Sequence, residues 1–282
     1  MCHHWIASLR IEPNVTAVRT SAPITSGNPA LESESARVYY APARPEGRTM
    51  SVLGVSLKTA VFLAIVFAGG AWGWGSATES VATDVGGGYG ATTVTIPGGF
   101  WLASFGALVV GIITSMNPRF AAAGGAIYAA LQGYVLGAIS AAFDAQTEGI
   151  VGAAILSTGC VFLVSLLLYV TRIVRPTRKM AFGVSAAIGG LCLLYFFVWI
   201  LAIFDWGWLY SEQFRTIGII VTGLSVILAA LSLTLDFGRI EAGVAAGAPK
   251  FMEWYSAYGL MVTLIWLYIT LLRLLGWIAS RR

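Results

Sequence analysis

From residue 51 onward, apolar runs recur at about the length that crosses a bilayer, roughly 20 residues each. Seven are predicted, at about 55–75, 98–116, 120–143, 149–171, 180–204, 215–238 and 254–278. A lipid interior offers the backbone no water, so such segments must close their hydrogen bonds internally, as helices. A transmembrane barrel would show short alternating segments, which this pattern is not. The links are short apart from 76–97, which is rich in Gly and Thr (Gly86, Gly87, Gly88, Gly90), ends at Pro97 and is expected to be an exposed, mobile loop. Residues 1–50 differ in kind, with Pro13, Pro23, Pro29, Pro42 and Pro45 and no sustained apolar period. Such a segment buries too little apolar surface to offset the entropy of ordering it, and it is too polar for a signal peptide. The expected organisation is therefore a disordered cytoplasmic tail at 1–50 and an all-α, polytopic membrane domain of seven transmembrane helices at 51–282. Met50 is a candidate for the start of the folded part.

Composition agrees with the pattern. Of 282 residues 57% are hydrophobic and 11% charged, whereas a soluble domain is about a quarter charged. Most of the surface must face lipid, and the bilayer is the one partner this composition demands. Thirteen of the Lys and Arg side chains fall on the side of the N-terminus, Lys58 counted among them, against four (Arg215, Arg273, Arg281, Arg282) on the other. The positive-inside rule then places the N-terminus in the cytoplasm and the protein in the cell (plasma) membrane. The net charge of +4 follows from that topology and implies no nucleic-acid partner. Cys2, Cys160 and Cys192 are too scattered for a disulfide framework or a metal site. His3 and His4 are the only histidines, so no imidazole chemistry is available in the membrane domain. With no nucleophile–base set, no phosphate loop and no ligand spacing, the chain is expected to be no enzyme and to hold no cofactor.

The sixth span carries a pattern the earlier ones lack. Arg215, Gly218, Thr222, Ser225, Ala229, Ser232, Asp236, Arg239 and Gly243 recur at spacings of three and four, which keeps them on one helical face. The seventh repeats it with Ser256, Gly259, Thr263, Trp266, Thr270, Arg273 and Trp277. Small and hydroxylated faces of this kind usually meet other helices, so both are expected to face the bundle interior, for packing or as a polar conduit. On the third span Gly125, Ala129, Gly133 and Gly137 form a small-residue stripe suited to a tight crossing, with Gln132 beside it as a buried amide. Trp72, Trp74, Trp101, Trp206, Trp208, Trp254 and Trp277 cluster near span ends, as interfacial anchors do.

Ionisable groups near the membrane are the sharper signal. Asp236 has Arg239 three residues on, and either the two pair at the water interface or the carboxylate follows the seam inward as a proton-responsive gate. Glu241 lies about 140° round the helix from Asp236 and does not share its face. Glu253 opens the seventh span and is a candidate inner-mouth carboxylate. Arg119 follows the Asn117-Pro118 turn and is a candidate to reach an inner carboxylate. None of these stands near the middle of a span, which disfavours an energised pump with a midplane carboxylate.

The stretches Leu231–Glu241 (LSLTLDFGRIE), Phe251–Leu260 (FMEWYSAYGL) and Trp266–Gly276 (WLYITLLRLLG) resemble the Bax inhibitor-1/YccA family in its actinobacterial form. Asn117-Pro118, Gly133–Ser140 and Glu148–Val151 fit the same pattern, and Ser26–Leu31 is similar to the usual start of such chains. The resemblance covers about 26–282 and implies seven helices with the last near the bundle centre. For some members it also implies a pH-sensitive calcium leak, closed by a pair of aspartates on the last two helices with an arginine from an earlier one. Asp236 matches the first aspartate; the second position falls at Thr263, and the second span carries no arginine. Other members regulate a membrane protease (FtsH) during stress. The expected function is a passive pH-modulated cation leak; the alternative is a non-enzymatic regulator that binds a membrane protease or another membrane partner.

Overall fold

The computed structural model describes residues 49–82, 97–174, 176–203 and 212–279. Among them are seven helices: α1 (Val52–Ala82), α2 (Gly99–Met116), α3 (Ala121–Asp144), α4 (Ile150–Val170), α5 (Arg178–Ile203), α6 (Glu212–Ala245) and α7 (Met252–Ala279). A 3₁₀ turn at Pro118–Phe120 joins α2 to α3. All seven helices are long and apolar enough to cross a membrane. The disordered-tail reading of 1–48 lies outside the described residues, as do Trp206, Trp208 and positions 83–96 of the expected long loop.

Three boundaries differ from the hydropathy pattern. α1 continues to Ala82, so the first residues of the expected loop are helical. α6 runs on to Ala245, seven residues past the end of its apolar run. Its 34 residues span about 51 Å, well beyond a core about 30 Å thick, so the helix is longer than the hydrocarbon it crosses. The folded body also takes in the end of the segment read as tail, since Thr49 forms a β-bridge with Pro249 and Met50 is buried.

Local chemistry explains the tight turn between the last two helices. Gly247 has a φ of 67°, its N–H donates to the Val244 carbonyl at 3.0 Å, and the Ala248 N–H donates to the Gly243 carbonyl at 3.0 Å. That double closure satisfies the orphan carbonyls at the end of α6. The Ala248 carbonyl then accepts the Met50 N–H at 2.8 Å, tying the start of α1 to this turn. Ser51 caps α1, its Oγ accepting the Gly54 N–H at 3.1 Å.

α7 is the central helix. It packs against α6, α1, α4 and α3, and it is buried along most of its length from Met252 to Leu272. α2 leans on α3, and α5 on α6, at the periphery. Tyr255 and Tyr258 reach from α7 to the Ser115 and Gly111 carbonyls of α2, both at 3.1 Å.

The small-residue stripe of α3 meets α1, which brings a matching set of its own. A Cβ built on Gly137 would lie 2.0 Å from the Gly70 carbonyl oxygen, one on Gly133 2.4 Å from that of Val66, and one on Gly73 2.0 Å from that of Tyr134. Backbone meets backbone here, and nothing flexible can yield. Gly137→Ala is therefore expected to cost about 3 kcal/mol through forced separation of the helices, read as a lower unfolding temperature in detergent. Gly183→Ala, where an added Cβ meets nothing within 4 Å, should leave that temperature within a degree or two; equal effects at the two positions would refute the close crossing. Gln132, beside the stripe, is half-buried rather than enclosed, and lines a shallow groove with Tyr128 and Tyr258.

Candidate functional site

The polar faces of α6 and α7 meet each other, as their spacing predicts. Thr222, Ser225, Ser232, Asp236 and Arg239 of α6 are buried, as are Ser256, Thr263 and Thr270 of α7. Most of these hydroxyls serve their own helix. Thr222 donates to the Gly218 carbonyl at 2.7 Å, Ser225 to that of Val221 at 2.8 Å, and Thr270 to that of Trp266 at 2.7 Å. Back-bonding of this kind satisfies a hydroxyl where water is absent.

A side-chain hydrogen bond crosses the seam. Thr263 Oγ1 donates to Asp236 Oδ2 at 2.7 Å and also lies 3.2 Å from the Gly259 carbonyl of its own helix. Asp236 is fully enclosed, with 0% of its surface exposed, so it does not sit at the water interface. Arg239, one turn on, is buried with it, and the cation therefore belongs to the same interior. Ser232, one turn before Asp236, keeps its Oγ buried with no hydrogen-bond partner. The result is a carboxylate, a guanidinium and two hydroxyls gathered between the last two helices.

The Asp236–Thr263 contact has a measurable consequence. Thr263→Val keeps the shape but removes the donor, leaving a buried carboxylate oxygen short of a bond, at an expected cost of about 2 kcal/mol. Thr263→Ser keeps the hydroxyl and should cost less than half as much. Thermal unfolding of the two variants side by side tests this, and equal losses would show that the methyl rather than the hydroxyl matters.

Glu253 lies elsewhere, in a second buried polar site at the head of α7. Its Oε1 accepts the Ser51 N–H at 2.9 Å, the Ser51 hydroxyl at 3.0 Å and Lys250 Nζ at 2.7 Å, while Oε2 pairs with Lys58. The fit is close enough that a Cβ on Gly54 would fall 2.3 Å from Oε1. Lys58 stands on α1 itself, not in a connecting segment, and also lies 5.2 Å from the centre of the Trp254 ring. Trp254 in turn packs on Phe62, with ring centroids 5.4 Å apart, so it serves this site rather than a headgroup belt. The sequence reading found Glu253 but missed Lys58, Ser51 and Gly54. A single lysine within an otherwise apolar run was the available signal.

The other two expected residues stand apart from both groups. Glu241 is exposed on the outer side of α6, where its carboxylate accepts the Tyr169 hydroxyl of α4. Its direction confirms the angular argument that separates it from Asp236. Arg119 is exposed on the 3₁₀ turn. Among the described residues no cluster of three or more His, Cys, Asp or Glu is placed to hold a metal ion.

Comparison with known proteins adds a family. The model described as "Bax inhibitor 1 like" matches residues 26–280. No curated protein and no solved structure matches the chain.

Proposed function

The chain belongs to the Bax inhibitor 1 like family, and from that premise we propose that it is a passive, pH-modulated cation leak with Asp236 as its gate and calcium as the first ion to test. The observation that carries this reading is the enclosed Asp236 carboxylate, bonded across the α6–α7 seam by Thr263. A buried carboxylate bonded across the seam acts as a lock, and protonation removes the charge that holds it. An ion passing here would meet few protein oxygens, whereas calcium takes six to eight. It would therefore keep most of its water, which suits a slow leak more than a selective channel. Arg239 is the counter-charge in this reading, and its approach to Asp236 favours the closed seam.

By the positive-inside rule the Glu253 end of the bundle faces the cytoplasm, with the N-terminus on that side and the protein in the plasma membrane. The test is calcium entry into proteoliposomes of the purified protein at pH 6, 7 and 8. Flux above empty liposomes that changes severalfold across this range supports the leak. Flux equal to empty liposomes at all three values ends it.

A second reading has its own observation. Thr222, Ser225 and Thr270 spend their hydroxyls on their own helices, as packing surfaces do and as a wet conduit need not. On that reading the protein is a non-enzymatic regulator in membrane quality control, acting by binding a membrane protease or another membrane partner. Absent flux with recovery of a defined membrane partner after cross-linking would favour it.

A further inference from the structure

α1 and α4 each pack on α7 but hardly touch one another. Between them runs a cleft of about 1410 Å³. Small-molecule sites occupy about 300–1,000 Å³, so this space is larger than such a ligand needs. It opens sideways, toward where the bilayer must lie, because Phe67 of α1 and Ile155 of α4 are exposed along its edges.

The lining is graded along the membrane normal. Through the middle it is apolar, with Leu63, Val66, Phe162, Leu166, Leu260 and Leu264. The hydroxyls found there are already used: Thr59 donates to the Val55 carbonyl at 3.0 Å and Thr158 to that of Ala154 at 2.7 Å. The charged groups lie at the Glu253 end, where Ser56, Tyr169, Arg172 and Glu241 form the rim, while Ser140 and Tyr268 of the lining bond each other at 2.7 Å. Glu241 is turned to the Tyr169 hydroxyl, while Arg172 is exposed and the chain continues to exposed Arg178 and Lys179. The rim itself holds one cation and one anion, and the surface just beyond it is basic, with Arg178 and Lys179.

We propose that this cleft is a binding site for one anionic phospholipid, its acyl chains lying between α1 and α4 on the floor made by α7 and its phosphate at Arg172. The proposal is independent of whether the α6–α7 seam passes ions. An apolar trough closed by a guanidinium at one end matches a molecule with hydrocarbon at one end and an anion at the other. A partner helix fits less well. Close helix contacts in membranes need runs of small residues, and here Leu63, Val66, Phe67, Phe162 and Leu166 stand between the smaller Ser56, Ala60 and Ala71; Gly70 and Gly137 lie against each other across the α1–α3 crossing. Gly159 has nothing within 4 Å of an added Cβ, and it supplies the probe.

The experiment is native mass spectrometry of the delipidated full-length protein, titrated with phosphatidylglycerol or with phosphatidylcholine. The wild type should bind one phosphatidylglycerol at least fivefold more tightly than phosphatidylcholine. Gly159→Phe fills the trough and should weaken that binding tenfold or more, whereas Gly183→Phe, on α5 and equally open, should not. Arg172→Gly removes the guanidinium at a residue whose φ of 57° suits glycine. The fold should tolerate it, and the preference for phosphatidylglycerol should disappear while some binding to both lipids remains. Graded, unsaturating lipid adducts, or equal losses from the two Phe variants, would overturn the site. A dimer that Gly159→Phe dissolves would overturn it as well, by giving the cleft to a second copy. An unchanged lipid preference in Arg172→Gly would overturn the headgroup assignment.

Discussion

Asp236→Asn should abolish the pH response of cation flux while leaving the bundle folded. For one titrating carboxylate, the ratio of its charged to neutral forms changes about tenfold per pH unit. A gate that rests on the protonation of that group loses its pH response when the group can no longer gain or lose a proton. Asparagine cannot titrate, so the flux at the two ends of the range should become equal within about a factor of 1.5, against a severalfold change in the wild type. The amide is nearly the same size, and its oxygen can still accept the Thr263 hydroxyl that lies 2.7 Å from Asp236 Oδ2. Loss of the response is thus separable from loss of structure, provided unfolding in detergent is followed in parallel. Asparagine also lacks the charge that favours the closed seam, so the residual flux should sit at the higher, acid-side level. A mutant whose flux still changes with pH as the wild type does would remove Asp236 from the gate.

How much of this could be read from the chain varies by element. The helices of the membrane domain follow from apolar run length because lipid leaves the backbone no alternative. The α6–α7 seam was legible too, since two helices with hydroxyls and a charge at spacings of three and four have few other surfaces on which to hide them. Thr263, the position that the family resemblance gives to a second aspartate, bonds Asp236 as a hydroxyl instead. The end of α6 was not legible. Hydropathy stops at the charges of Arg239 and Glu241, but Arg239 is buried between helices and Glu241 finds Tyr169, so the helix carries on to Ala245. Nor did the small-residue stripe of α3 say which helix it would meet. Gly69, Gly70 and Gly73 of α1 stand in the sequence in plain view, but small residues announce close approach without naming a partner.

Lys58 shows the same limit in electrostatic form. As a charge near a span end it reads as one more cytoplasmic lysine; in the structure it is the counter-ion of a carboxylate 195 positions away. Pairing between distant charges depends on which helices become neighbours. A single sequence does not carry that.

Glu253→Gln is expected to be strongly destabilising for so conservative a substitution. The carboxylate is fully enclosed and accepts from Ser51, Lys250 and Lys58, so it joins α1, α7 and the turn before α7 at one point. Removing its charge leaves Lys58, whose side chain is 17% exposed, without its anion in a site that water reaches poorly. Lys250 matters less, because its side chain is 47% exposed and water can take over the ammonium. Breaking a buried pair by deleting one partner costs about 3–5 kcal/mol, and the solvent available to the lysines argues for the lower end. A loss of about 3 kcal/mol corresponds to roughly 10 °C in a chain of this size. The double variant Lys58→Met/Glu253→Gln removes both charges and should recover at least half of that loss, since a buried pair exchanged for neutral groups is often close to neutral in stability. The same pair of variants separates this clasp from an inner-mouth ion site. A mouth carboxylate would lose flux on Glu253→Gln with its unfolding temperature unchanged, and Lys58→Met would restore nothing. A structural clasp loses stability first, regains it in the double variant, and shows its effect on flux only to the extent that the bundle loosens.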